Sequence, residues 1–472
     1  MSMIPLLGAT PVFTNDAVIL GLLMVVLALV FYTSSLDTPG WKKFYRFVPS
    51  LLLCYFLPAL LYWPLGLIAP HWFDAGVYEM LANKGIDLSP LTGLNYDELK
   101  EAMTNLGVPA AEYQAYEGHT NLYFVASRYL LPASLILLCL GIDFKGVLNL
   151  GPKALIMFLA ATLGIIIGGP IALLVAGLLM PDTIGADAGQ LARGLSTIAG
   201  SWIGGGANQT AMKEIYEVQD NLFGTMITVD VIVANIWMGF LLYGANITKK
   251  LDTKLKADSS AIEDLKRRVA DYRASIAQIP TTTQLFVMLA VAFGGVALSH
   301  WGADVISPFL AGFKETLAKY NLTSLTSGFF WLVVIATTYG LSLSFTKARK
   351  LEGVGASRWG SIFIYVLVAT IGMKMNLGEV ASNWKLFVIG VIWMLVHVSI
   401  LLLVAKLIRA PFFFVAVGSQ ANIGGAASAP IVASAFSPSL APVGVLMAVL
   451  GYAMGTYGAL ICAQLMILVA GG

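Results

Sequence analysis

Twelve apolar stretches, most of them close to the roughly 20 residues that a bilayer-crossing helix requires, run through this chain. They fall at roughly 16–35, 48–70, 121–141, 152–180, 189–215 and 220–246, then at 282–300, 325–345, 358–376, 384–407, 410–436 and 441–470. A bilayer offers no water to unpaired backbone groups, so runs of this length are built as helices. Hydrophobic residues are 58% and charged residues 11% of the 472, whereas a soluble globular chain carries about 25% charge. The expected fold class is an all-α polytopic membrane protein, with the lipid bilayer as its first partner. A net charge of +2 gives no reason to expect nucleic acid. Cys54, Cys139 and Cys462 sit in apolar runs, where core packing suits them better than disulfide or metal chemistry. The first run has no basic patch before it and no obvious cleavage site, so it reads as a retained helix in the cell (inner) membrane.

Two runs carry near-copies of one motif. The first reads Ile203, Gly204, Gly205, Gly206, Ala207, Asn208, and the second Ile423, Gly424, Gly425, Ala426, Ala427, Ser428. Paired glycines among hydroxyls and amides make a poor continuous helix and a good break in one, where freed backbone can touch a ligand. Ser201, Asn208, Gln209 and Thr210 surround the first copy, and Ser419, Gln420, Asn422 and Ser428 the second. Burying so many polar groups costs free energy unless they have partners. With Gly204, Gly205, Gly206, Gly424 and Gly425 they form the candidate substrate-binding set. The alternative is a small-residue packing surface between helices.

The similarity extends beyond the motif. Gly141 and Gly372 close equivalent helices at an offset of 231, Lys153 and Lys385 open the next ones at 232, and the motifs themselves are 220 apart. The chain therefore divides into a first repeat, 1–246, with an extracytoplasmic insertion at 71–119; a charged cytoplasmic linker, 247–280; and a second repeat, 281–472. The acidic insertion reads as a decorated loop, with a small amphipathic cap as the other reading. The linker carries Lys249, Lys250, Lys254, Lys256, Lys266, Arg267 and Arg268 and reads as a solvated cytoplasmic helix.

Short basic loops favour the cytoplasm. If every run crossed, Lys42, Lys43 and Arg46 would agree with Lys145 and Lys153 but place the linker on the opposite side. If each glycine segment instead enters and leaves by one face, those regions, the linker, 347–350 and Lys406 with Arg409 all fall on one side. Each half then has five crossings, an odd number, so the halves are inverted. The expected architecture is two inverted repeats of five crossing helices, each with a glycine-rich re-entrant hairpin or broken helix, tips meeting near the midplane.

Asp230 lies within an apolar run, and an intramembrane carboxylate is a functional candidate by default. It reads as a sodium ligand or proton carrier, with Asn235 one turn beyond and Thr456 as the counterpart of Asn235 in the second repeat. A structural partner for a hairpin amide is the alternative. His397 reads as a hydrogen-bonded packing residue rather than a proton carrier. Asp143 and Lys374 occupy equivalent helix ends and read as interfacial, snorkelling groups.

Gly200 through Asn208, together with Ser419 through Gly425 and Gly451 through Thr456, resemble the YjcL-like family of uncharacterised membrane proteins over most of the chain. That family is distantly similar to sodium-coupled glutamate and 2-hydroxycarboxylate symporters and to the cation/proton antiporter-like superfold. The resemblance implies inverted repeats, a mobile transport domain and a scaffold domain, and supplies no substrate. The insertion at 71–119 and the long linker depart from the family pattern.

No Ser/His/Asp spacing, His/Cys cluster or phosphate loop with a Walker lysine is present in the sequence, so neither enzyme chemistry nor ATP-driven transport by this chain alone is expected. The expected function is secondary active transport of a small organic solute, anionic or zwitterionic, coupled to Na⁺ or H⁺. No cofactor is expected beyond bound Na⁺. A cation/proton antiporter and a membrane receptor or scaffold remain as rivals, and a homodimer is compatible with the sequence.

Overall fold

The computed structural model describes residues 10–48, 50–142, 150–181, 188–257, 280–319, 322–375, 385–437 and 440–471. Asp143, Lys145 and the linker residues Lys266, Arg267 and Arg268 lie outside the described residues.

Apolar composition and length make seven of the described helices able to cross a bilayer. They are α1 (Asp16–Ser35), α6 (Leu122–Leu140), α7 (Pro152–Leu179), α10 (Asp220–Asn246), α12 (Thr282–Ala311), α15 (Lys385–Leu407) and α18 (Ala441–Val469). An eighth is added if α13 (Gly328–Ser344) is counted with the 3-10 segment Lys347–Val354, to which it is bent by 98°. The chain is thus an all-α polytopic membrane protein in its spanning part.

Two expected crossings are shorter than their apolar runs. After a short α2 (Pro39–Phe47), the run at 48–70 yields α3 (Ser50–Tyr62), 13 residues long. Pro64 ends it, because a proline lacks the N–H that a continuing helix needs and disfavours helical geometry in the residue before it. The run at 358–376 yields α14 (Ala356–Gly372), 17 residues.

The described chain forms two compact units. One comprises Met1–Arg128 with Tyr365–Val380, the other Tyr129–Ile364 with Ala381–Gly472.

In the first unit the insertion at 71–119 is a folded subdomain, which corrects the reading of it as a decorated loop. Strands β1 (His71–Phe73) and β2 (Glu117–His119) pair antiparallel, His71 opposite His119 and Phe73 opposite Glu117. Helix α4 (Gly76–Asn83) buries Val77 and Leu81, four residues apart on one face. Helix α5 (Tyr96–Asn105) starts at a capping box, in which Asn95 accepts from Glu98 N–H and Glu98 accepts from Asn95 N–H. Its Leu99 and Met103 join Phe73, Val77, Leu81 and Tyr113 in a core of the subdomain's own. That apolar set is diluted by polar residues, so composition hides it. Burial stabilises it by about 1.5–3 kcal/mol per large side chain. Lys100 bonds to Tyr96 and to Glu117 across the subdomain. The Tyr96 hydroxyl, followed by the Glu117 carboxylate, holds the Lys100 ammonium above its ordinary range.

In the second unit, glycines let long helices approach closely. Gly164, Gly168 and Gly169 of α7 face His397, Trp393 and Cys462, and a Cβ at Gly168 would stand 2.5 Å from the Trp393 ring. Helix α18 packs along the same face, and the three cysteines are buried and free. The order of helices is long, short, short, long in both halves: α7, α8 (Ala188–Gly204), α9 (Gly206–Ile215), α10, and then α15, α16 (Phe412–Ile423), α17 (Gly425–Phe436), α18.

Phe73→Ala is expected to remove about 3–5 kcal/mol from the insertion subdomain, measured as faster protease cleavage within 71–119. Leu106→Ala, at an exposed position, is expected to leave the cleavage rate unchanged.

Candidate functional site

Both glycine motifs are breaks between helices. Gly205 takes φ +76° between α8 and α9, and Gly425 takes φ +56° at the start of α17. That left-handed region is open to glycine and strained for other residues. The chain turns sharply at each break. A Cβ at Gly200 would lie 2.6 Å from the Asn208 carbonyl oxygen, and Gln420 Nε2 donates to Ser428 Oγ at 2.7 Å. Backbone atoms eight residues apart in a straight helix would be about 12 Å apart, so the first break folds back on itself; at the second, the bonded Gln420 and Ser428 side chains both flank Gly424.

Helix α18 holds the two breaks together. A Cβ at Gly455 would stand 2.5 Å from Gly204 Cα, and one at Gly451 would stand 2.8 Å from the Ile203 carbonyl and 3.3 Å from the Ala421 carbonyl. One methyl-sized group at Gly451 would therefore touch the last turns of both α8 and α16. Only glycine permits this approach.

The polar residues expected in the site divide into two kinds. Asn208 and Asn422 are fully engaged by the protein. Asn208 Nδ2 donates to Gly204 O at 3.1 Å and Tyr452 O at 3.2 Å, and its Oδ1 accepts from the Thr456 hydroxyl at 2.6 Å. Asn422 Nδ2 donates to Phe158 O at 3.2 Å and Gly418 O at 3.0 Å, and its Oδ1 accepts from Thr162 at 2.8 Å. Thr210 bonds back to Gly206 O at 2.9 Å. Asn208 and Asn422 stitch the breaks into the bundle, while Thr210 bonds within its own helix.

Gln209 and Gln420 differ. Gln209 Nε2 donates to Asp230 Oδ2 at 3.0 Å, which fixes the amide's orientation because an ionised carboxylate only accepts. Its Oε1 is buried and, among the described residues, has no hydrogen-bond partner. Gln420 Oε1 is likewise buried without a partner among the described residues. An unmade hydrogen bond at a buried carbonyl costs about 1–3 kcal/mol, so two such atoms at the two breaks call for a function. The backbone is open at each break: a Cβ at Gly206 or Gly425 would meet nothing within 4 Å, and one at Gly205 only the Tyr452 ring at 3.9 Å. Neither α9 nor α17 has a side-chain N-cap bond, so both short helices begin uncapped at the opening.

Asp230 sits on α10, nearly buried, and its donors come from the first break. Trp202 Nε1 donates to Oδ1 at 2.7 Å, Gln209 to Oδ2, and the Ser201 hydroxyl bonds to the same carboxylate. No lysine, arginine or histidine forms an ion pair with it among the described residues. Asn235 and Thr456 are placed elsewhere. Asn235 donates to Val231 O at 2.7 Å, and five residues beyond Asp230 it lies about 140° around the helix. Thr456 is bonded to Asn208 and to Thr337 at 3.1 Å.

In the second break, Ser419 Oγ accepts from Trp237 Nε1 at 2.8 Å and meets His397 Nε2 at 2.8 Å. His397 Nδ1 lies 3.1 Å from the Ala161 carbonyl, which can only accept. The proton of a neutral ring is therefore on Nδ1, and Ser419 donates to Nε2. His397 is a hydrogen-bonded packing residue here. Lys374 lies 4.1 Å from the Tyr123 ring centroid. Trp202, Trp237, Thr162 and Tyr452 contribute to the site without having been singled out in the sequence. Trp202, immediately before the first motif, had a readable signal. The others have partners more than 180 residues away.

Glycine-broken helix pairs inside a bundle of spanning helices define a polytopic membrane protein with a buried polar centre. The chain belongs to the family described as protein of unknown function DUF819, whose model matches residues 98–468. It is also similar to the "Uncharacterized membrane protein YjcL" of Bacillus subtilis (strain 168), 23% identical over 371 residues, covering 75% of this chain and 84% of the relative. The resemblance read from the glycine motifs is thus borne out.

Gly204→Ala places a methyl 2.6 Å from Gly455 Cα and is expected to cost about 1–3 kcal/mol through overpacking. Gly206→Ala faces open space and is expected to leave stability unchanged. Thermal unfolding in detergent compares the two.

Proposed function

We propose that the protein is a secondary active transporter, moving a small anionic or zwitterionic organic solute, such as an amino acid, short peptide or carboxylate, coupled to Na⁺ or H⁺. The observation that carries this reading is the pair of buried, unpartnered glutamine carbonyls, Gln209 Oε1 and Gln420 Oε1, one at each break beside an open glycine face. A solute with N–H or O–H groups satisfies them, and the uncapped starts of α9 and α17 suit an anionic group. Asp230, buried and without a cation partner among the described residues, is the ion-coupling group. A charged carboxylate there is stabilised by a bound Na⁺ or neutralised by a proton.

The inverted arrangement, with each break as a re-entrant hairpin in a mobile domain, draws support from one contact pattern. Trp393 donates to Ile165 O at 2.8 Å, and His397 meets Ala161 O at 3.1 Å. At the repeat offset of 232 from Lys153 to Lys385, position 161 corresponds to 393 and 165 to 397. Each contact is then the image of the other, as across a two-fold axis. The pairing runs up α7 while it runs down α15, which fits equivalent helices in opposite directions.

Purified protein in liposomes is expected to accumulate a member of an amino-acid, short-peptide and carboxylate panel when a Na⁺ or pH gradient is imposed. Gln420→Leu is expected to raise KM for that solute, and Asp230→Asn to abolish the dependence on the gradient. Gradient-independent behaviour across the whole panel sinks the reading. Ion exchange that needs no organic solute and vanishes in Asp230→Asn would select the cation/proton antiporter, which the unpaired carboxylate also fits.

A further inference from the structure

A strongly basic surface lies outside the polar centre. Helix α11 (Thr248–Leu255) begins two residues after the spanning helix α10 ends at Asn246. The last two turns of α10 expose Phe240 and Tyr243, 63% and 64% accessible, as aromatic side chains do at a membrane–water boundary. Helix α11 therefore lies at that boundary. Its Leu255 is buried, and Leu251 packs against the core that contains Phe412, Phe413 and Phe414 of α16. Around it Lys249, Lys250, Lys254 and Lys256 are exposed.

The carboxylate within this helix does not neutralise them. Asp252 Oδ1 accepts the backbone N–H of Phe412 at 2.7 Å and so caps the first turn of α16. No ion pair engages the four lysines among the described residues. The same bond draws the α15–α16 turn alongside, and that turn exposes Lys406, Leu407 and Arg409. Two basic regions more than 150 residues apart in sequence are joined through Asp252 and Phe412.

We propose that α11 and the α15–α16 turn form a binding surface for anionic phospholipid headgroups. Lysine and arginine clusters beside a spanning helix attract the phosphates of an anionic leaflet. The aromatic and leucine side chains bordering the cluster favour a lipid over a soluble phosphate, because they contact acyl chains while the ammonium groups reach the headgroups. Asp252 ties the surface to the second glycine break: the helix that receives the lipid also caps α16. Lipid binding at α11 therefore stabilises the start of α16. This inference does not depend on what the polar centre transports.

The test is thermal unfolding of the detergent-solubilised full chain with added phosphatidylglycerol, phosphatidylcholine or free glycerol phosphate, alongside native mass spectrometry of retained lipid. Phosphatidylglycerol is expected to raise Tm, since a ligand of the native state stabilises it, and the other two additives are not. The shift is expected to shrink as salt rises. Replacing Lys249, Lys250, Lys254 and Lys256 with Gln is expected to weaken the phosphatidylglycerol response at least about tenfold, with melting in phosphatidylcholine unchanged. If that variant fails to fold, Lys406→Gln with Arg409→Gln is expected to retain less phosphatidylglycerol by mass. Equal shifts from the two lipids, an equal shift from glycerol phosphate, or variants that keep the full response would overturn the proposal.

Discussion

The approach of α18 to the two helix breaks is the constraint on which the rest depends. A break inside an apolar bundle frees backbone carbonyls and N–H groups that lipid cannot satisfy. Here Gly451 and Gly455 remove the side chains that would hold α18 away, and α18 then supplies partners of its own. Its Tyr452 carbonyl and Thr456 hydroxyl both bond to Asn208, while Gly451 lies against the carbonyls of Ile203 and Ala421. A side chain at either glycine would separate the last turns of α8 and α16 and leave the break at Gly205 without its cross-links.

That arrangement explains why chemically similar amides take different roles. Asn208 and Asn422 face other helices and are bonded at both ends, to Thr456 and Thr162 through oxygen and to backbone carbonyls through nitrogen. They hold the breaks in place. Gln209 and Gln420 each use only the nitrogen, one on Asp230 and one on Ser428. An acceptor left open in a buried site is costly, so these two atoms mark where a ligand would lower the free energy. The same reasoning sets Asp230 apart from Asn235 and Thr456, which are engaged in neighbouring bonds and do not meet it.

Much of the framework was legible in the sequence. Long apolar runs locate the spanning helices, since bilayer thickness and helical rise leave little freedom. The glycine pairs locate both breaks, at Gly205 and Gly425. Less legible were the short helices α3 and α14, whose apolar runs continue past the point where proline and turn geometry stop them. The insertion at 71–119 also escaped, because Val77, Leu81, Leu99 and Met103 are spaced for helices but scattered among acidic residues. Its core forms only when strands β1 and β2 bring both ends of the segment together.

By itself the sequence determined the membrane class and the positions of the breaks, because each follows from local composition over about twenty residues. Tertiary structure alone decided which polar groups are satisfied and which stay open. It also decided that Asp252 would cap α16 and that two distant basic segments would share one surface. The physical reason is range. Hydropathy and helix breaking act between neighbours in the chain, whereas a buried hydrogen bond is settled by whichever helix packs opposite, here as far as 264 residues away.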